Sequence, residues 1–158
     1  MNMMKKNYLV FDMDGTIADL YKVNNWLRDL RNYDARPYEV ALPLYNMNDL
    51  TRLLCAFKEN GWGIIVTSWS SKESCPLYDW AVEKAKIEWL KKYHFPADEI
   101  YVVPYGVSKT SVTAHLGGYQ ILIDDNAEVR NEWGNGATID ANKDIFTELL
   151  ELYFEMED

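Results

Sequence analysis

The chain has 158 residues, 48% of them hydrophobic, and a formal net charge of -9 from 16 Lys and Arg against 25 Asp and Glu. That length and apolar content fit one domain, residues 1–158, with a core of its own. The acidic balance excludes a broad basic face for long nucleic acid, yet leaves room for a small phosphorylated substrate held by one metal ion and one lysine.

Near the N-terminus, Lys5 and Lys6 precede an apolar run that ends at Asp12. The run is too short for a secretory signal or a membrane span and reads as a buried strand over Tyr8 to Phe11. Cys55 and Cys75 form no CxxC pair, and His94 and His115 lack metal-ligand spacing, so no zinc site is expected. With no membrane segment and isolated cysteines, a cytoplasmic location is expected.

Further apolar runs lie at Trp62 to Thr67, Ile100 to Val103, Tyr119 to Asp124 and Ala137 to Asp140. Each is apolar on both faces, as strands covered by helices on each side are. Helical spacing marks Asn48 to Asn60, with Leu50, Leu53, Leu54 and Phe57, then Tyr78 to Tyr93 and Asp144 to Phe154. The alternation predicts a three-layer α/β/α sandwich around a mostly parallel, Rossmann-like sheet. Residues 18–45, rich in aromatic and charged residues, interrupt it and read as a small insertion over the sheet's edge, helical at Val23 to Leu30.

Ligands of open α/β sheets bind beyond the carboxyl ends of the strands. There the sequence places Asp12 and Asp14, then Thr67 and Ser68, then Asp124 and Asp125, with Lys109 opening a helix after the third strand. Like charges about 4 Å apart repel by roughly 4 kcal/mol at an effective dielectric of 20. A divalent cation relieves that repulsion, and carboxylate oxygens with a substrate phosphate suit magnesium. A strand extended through Asp14 would point both carboxylates to one side, and the loop at Met13 to Gly15 can offer backbone N–H groups to a phosphate. Lys84 and Lys86, in mid-helix, are passed over as phosphate ligands, and the Gly106 to Thr110 stretch lacks the glycine and length of a nucleotide P-loop.

The run Asp12-Met13-Asp14-Gly15-Thr16, then Thr67 after an apolar strand, then Lys109, then Asp124-Asp125, resembles in order the four motifs of the haloacid dehalogenase (HAD) superfamily of phosphatases and phosphotransferases. The resemblance implies a HAD-type fold with Asp12 as nucleophile and magnesium ligand. It implies Asp14 as acid and base, with its backbone carbonyl on the metal. Thr67 and Lys109 would hold the phosphoryl group together with Met13 and Ser68. Asp125 would be the third protein ligand and Asp124 its support or a ligand through water.

The stretches Thr67-Ser68-Trp69, Ser74 to Tyr78 and Glu88 to Tyr93 are similar to the 5′(3′)-deoxyribonucleotidase group. That likeness implies a nucleoside monophosphate as substrate and a cap at 18–45, shorter here than in that group. Tyr21, Trp26 and Trp69 are its candidate substrate contacts. Tyr33, Tyr38, Arg28, Arg31 and Arg36 are further cap residues able to stack on a base or meet a sugar or second phosphate. Two other readings stay open: a phosphatase for a sugar phosphate or a nucleic-acid or protein phosphate end, and a non-catalytic binding module on the same scaffold.

Overall fold

The computed structural model describes residues 5–157. Strands β1 (Tyr8–Phe11), β2 (Gly63–Trp69), β3 (Glu99–Val103), β4 (Gln120–Asp124) and β5 (Thr138–Asp140) form one sheet in the order β3-β2-β1-β4-β5. Every pairing is parallel, so the sheet is fully rather than mostly parallel. The helices are α1 (Trp26–Arg31), α2 (Arg36–Val40), α3 (Met47–Glu59), α4 (Pro76–Lys92), α5 (Lys109–Thr113), α6 (Ala127–Glu132) and α7 (Ile145–Glu157). The fold is the expected three-layer α/β sandwich.

Alternation along the central strands divides the core into two layers. Leu9, Phe11, Ile64, Val66 and Ile123 pack with Leu50, Leu54 and Phe57 of α3, Trp89 and Leu90 of α4, and Ile145 and Leu149 of α7. On the other face, Val10, Ile65 and Leu122 meet Val129 of α6 and Trp133. Coverage on both sides is why the strands read as unbroken apolar runs.

Local chemistry sets the helix ends. The Asn46 side chain accepts the Asp49 amide at 3.1 Å to start α3, which stops before Gly61 at φ 88. α4 opens with Pro76, whose missing N–H costs nothing in a first turn.

Segment 18–45 holds a 3-10 turn at Leu20–Lys22, then α1 and α2. Its Leu20, Leu30, Ala35 and Tyr38 pack on Tyr78, Val82 and Ala85 in the first half of α4, a small core separate from the main one. Its two ends meet: the Asp19 amide bonds Leu42 O and the Leu44 amide bonds Ile17 O, both at 2.8 Å. Helix α1 therefore starts three residues later than the sequence pattern implies, after the extended turn that brings Leu20 inward.

From β1 the chain builds outward through β2 to β3, whereas β4 and β5 lie on the other side. The crevice at such a reversal, beyond the carboxyl ends of β1 and β4, is where open α/β sheets hold ligands. Among the described residues no helix is long and apolar enough to cross a membrane.

Candidate active site

Phe11 pairs with Val66 on one side and with Ile123 on the other. The next residues, Asp12, Thr67 and Asp124, therefore lie level across three neighbouring strands, on the face that carries Val10, Ile65 and Leu122. All three are buried. Lys109, the first residue of α5, rises from the helix layer on that side, and its Nζ donates to Asp12 Oδ1 and Asp124 Oδ2, both at 2.8 Å. Thr16 Oγ1 donates to Asp12 Oδ2 at 2.9 Å. Asp125 completes the group: one oxygen each of Asp12, Asp124 and Asp125 lies within 4.8 Å of the others.

Behind Asp124 and Asp125, α6 fixes the turn. Asp124 Oδ1 accepts the Asn126 amide at 2.9 Å, and Asn126 caps α6 through the Glu128 and Val129 amides. Asn142 Nδ2 donates to Asp125 O at 2.7 Å.

Asp14 goes elsewhere. β1 ends at Phe11, and the chain turns through Gly15 at φ 78. A Cβ there would collide with the Asp125 carboxylate and approach the Tyr21 ring, so both the backbone angle and the space require glycine. The expected extended strand through Asp14 is thus absent, and the two aspartates do not point the same way. Asp14 Oδ2 instead accepts from Lys86 Nζ at 2.7 Å, and it is not one of the three clustered carboxylates. Lys86 belongs to α4, in the layer opposite Lys109, and is fully buried. Its ammonium also donates to Ser68 Oγ at 2.7 Å and Trp69 O at 2.8 Å, under the Tyr38 ring at 4.7 Å.

Lys86, passed over in the sequence as a mid-helix lysine, thus belongs to the site. The signal was present: Tyr78, Val82, Lys86 and Leu90 fall at four-residue intervals on one buried stripe.

The charges leave a clear imprint. Burial pushes Asp12 up, but Lys109 first, then Asp125 and Thr16, outweigh it and hold this carboxyl below its ordinary value. Burial and the Asp12 charge push Asp124 to about 6 and Asp125 to about 8. Burial also outweighs the Lys86 charge at Asp14, whose carboxyl stays above its ordinary value. The three-carboxylate group faces one ammonium, Lys109.

A cavity of about 520 Å³ opens above these residues, with Asp12, Asp14, Lys109, Asp124 and Asp125 among its lining. Tyr21 and Trp26 form one aromatic pair in its wall, ring centroids 5.0 Å apart, and Trp69 and Tyr105 form another at 5.0 Å. Tyr105, from the turn after β3, has no counterpart among the residues singled out from sequence. Arg31 and Lys72 also line the cavity. Tyr38 lines it too, whereas Tyr33 packs edge-on against Tyr78. Arg28 and Arg36 are spent on Asp29, at 3.1 and 3.7 Å.

Thr67 Oγ1 is buried on the Asp12 face with no hydrogen-bond partner among the described residues. Ser68 faces the opposite layer, and its hydroxyl is engaged by Lys86. The Met13 side chain lies in the main core, leaving only its backbone to face an anion.

No protein-family model matches the chain, and no curated protein matches it. The solved structures similar to it in shape include two phosphatases. One is the D,D-heptose 1,7-bisphosphate phosphatase of B. bronchiseptica complexed with magnesium and phosphate: 11% identity, 92% of this chain and 99% of that chain covered, TM-score 0.48. The other is the D,D-heptose 1,7-bisphosphate phosphatase of Burkholderia thailandensis: 12% identity, 93% and 98% covered, TM-score 0.48.

Proposed function

We propose that the chain is a magnesium-dependent phosphomonoester hydrolase of the HAD type that works through an aspartyl-phosphate on Asp12. The observation that carries the reading is the separation of two aspartates only two residues apart. Asp12 is ionised between Lys109 and Thr16, while Asp14 is held apart on Lys86, and both line one cavity at the sheet's reversal point. One carboxylate is fitted to attack and the other to carry a proton.

The residues fit a divalent cation. Three carboxylates with oxygens within 4.8 Å are hard donors of the kind magnesium takes, and a single ammonium, Lys109, stands against the three of them. Asp12 and Asp125 would hold magnesium with the Asp14 carbonyl, Asp124 supporting, and the ion would neutralise the phosphoryl oxygens.

In the first step an Asp12 oxygen attacks phosphorus, the ester P–O bond breaks, and the leaving oxygen takes the Asp14 proton. In the second, water attacks the phosphorus of the aspartyl-phosphate and returns a proton to Asp14, releasing phosphate and the free carboxylate. Lys109, which lines the cavity, meets the charge that builds on the phosphoryl oxygens; Thr67 is 0% exposed and outside the lining, so its hydroxyl, without a partner among the described residues, would act only from behind Asp12.

For the substrate we propose a nucleoside monophosphate, supported by the two aromatic pairs in the cavity wall and by the resemblance of Thr67-Ser68-Trp69, Ser74 to Tyr78 and Glu88 to Tyr93 to the deoxyribonucleotidase group. Stacking on such rings is worth about 1–3 kcal/mol per base. A panel of phosphate monoesters assayed with magnesium tests both levels. The account expects release from deoxynucleoside monophosphates and none after Asp12→Asn. A strong preference for a sugar phosphate would remove the base-stacking reading and keep the chemistry. Binding without hydrolysis of any ester would remove the enzyme reading.

A further inference from the structure

We propose that Lys86 is a positioning residue for phosphoryl transfer, holding the Asp14 carboxyl in place from behind; this rests on the reading of Asp14 as the proton donor. A buried ammonium is costly unless each of its donors is met. Lys86 meets all three, on Asp14 Oδ2, Ser68 Oγ and Trp69 O, with the Tyr38 ring closing the fourth side. Two of those acceptors sit at the end of β2, so the ammonium is anchored to the sheet and reaches from it to the loop after β1. Among the described residues, the Asp14 carboxyl has no other hydrogen-bond partner. Its orientation is therefore set by Lys86.

Lys86 does not line the cavity and is 0% exposed, so it acts on a substrate only through Asp14. Stability does not require the pair as a whole, since replacing both partners of a buried ion pair by apolar side chains is often neutral or stabilising; given Asp14, however, removing Lys86 alone leaves its carboxyl unpaired.

The role has a specific signature. A proton donor matters for an alkyl leaving group, whose oxyanion is strongly basic, and little for p-nitrophenolate. The constant kcat/KM covers the steps up to P–O cleavage and not the later hydrolysis of the aspartyl-phosphate. With magnesium present, Lys86→Met is expected to lower the ratio of kcat/KM for glycerol phosphate to that for p-nitrophenyl phosphate by about 10²-fold, the low end of acid–base contributions. Asp14→Asn should lower the same ratio at least as far, and adding Lys86→Met to it should lower it no further. The double variant removes both charges of the pair together, so it remains informative if the single lysine variant does not fold. Equal losses on the two esters in Lys86→Met, or a further fall of the ratio in the double variant, would overturn the inference while leaving Asp14 in its role. An unchanged ratio in Asp14→Asn would instead remove the proton-donor reading, and this inference with it.

Discussion

Lys109→Met removes one charge from the centre of the site and keeps an unbranched side chain of similar length. The Lys109 ammonium lies 2.8 Å from carboxylate oxygens of both Asp12 and Asp124, with its side chain 3% exposed. At that distance each pair attracts by about 6 kcal/mol at an effective dielectric of 20, most of it offset by desolvation. Removing one partner of a buried pair costs about 3–5 kcal/mol, because the other charge stays buried. For a domain of this size each kcal/mol moves the midpoint by about 2–4 °C, so Tm should fall by roughly 6–20 °C in chelator. Magnesium supplies the missing countercharge, so the gap between variant and wild type should narrow when it saturates the site. Turnover should not recover, since the phosphoryl oxygens lose a preorganised donor worth about 10²–10³-fold. Circular-dichroism melts with chelator and with magnesium, beside phosphatase kinetics, measure all three. An unchanged Tm in chelator would refute the claim that Lys109 balances buried carboxylates. An equal fall with and without magnesium would refute the claim that those carboxylates take the cation.

Gly15→Ala should destabilise by more than about 1 kcal/mol, because φ 78 is strained for any Cβ and this one meets the Asp125 carboxylate; thermal melts report it. Tyr21→Ala should raise KM for a nucleoside monophosphate by roughly 5- to 160-fold and leave KM for glycerol phosphate nearly unchanged, the difference being one lost stacking face. Asp98 predicts a pH dependence of stability. Burial pushes its carboxyl up, but the Ile64 amide at 2.7 Å and Lys58 at 3.0 Å outweigh it and hold it below the ordinary 3.8. Its contribution is thus full above that value and lost as pH falls through the lower folded pKa. The difference in urea midpoint between wild type and Asp98→Asn should be largest near neutrality and should shrink below about pH 4.

The central strands were legible because each is buried on both faces and ends abruptly in a polar residue. The same contrast exposed Asp12, Thr67, Asp124 and Asp125, the first three of which the parallel register brings level. Lys109 was legible from its place after β3. The short helices were harder: α2 and α6 span five and six residues, fewer than two turns, which leaves no periodicity to read. The direction of Asp14 was not legible, since it depends on where β1 stops, on the turn at Gly15 and on a lysine 72 positions away. Lys86 was hidden by the ordinary habit of helix lysines to face water, although its place in an apolar stripe contradicted that habit. Tyr105 enters the cavity only because the β3–α5 turn folds back over Trp69, a tertiary fact.

The most direct test of the account is to trap the covalent step. The protein with magnesium and a hydrolysable monoester is quenched during turnover with hydroxylamine, which converts an acyl-phosphate into a hydroxamate, and the modified residue is located by mass spectrometry. The account predicts a hydroxamate at Asp12 that needs both substrate and magnesium. Steady release of phosphate with Asp12 unmodified, or with the modification on another carboxylate, would contradict it.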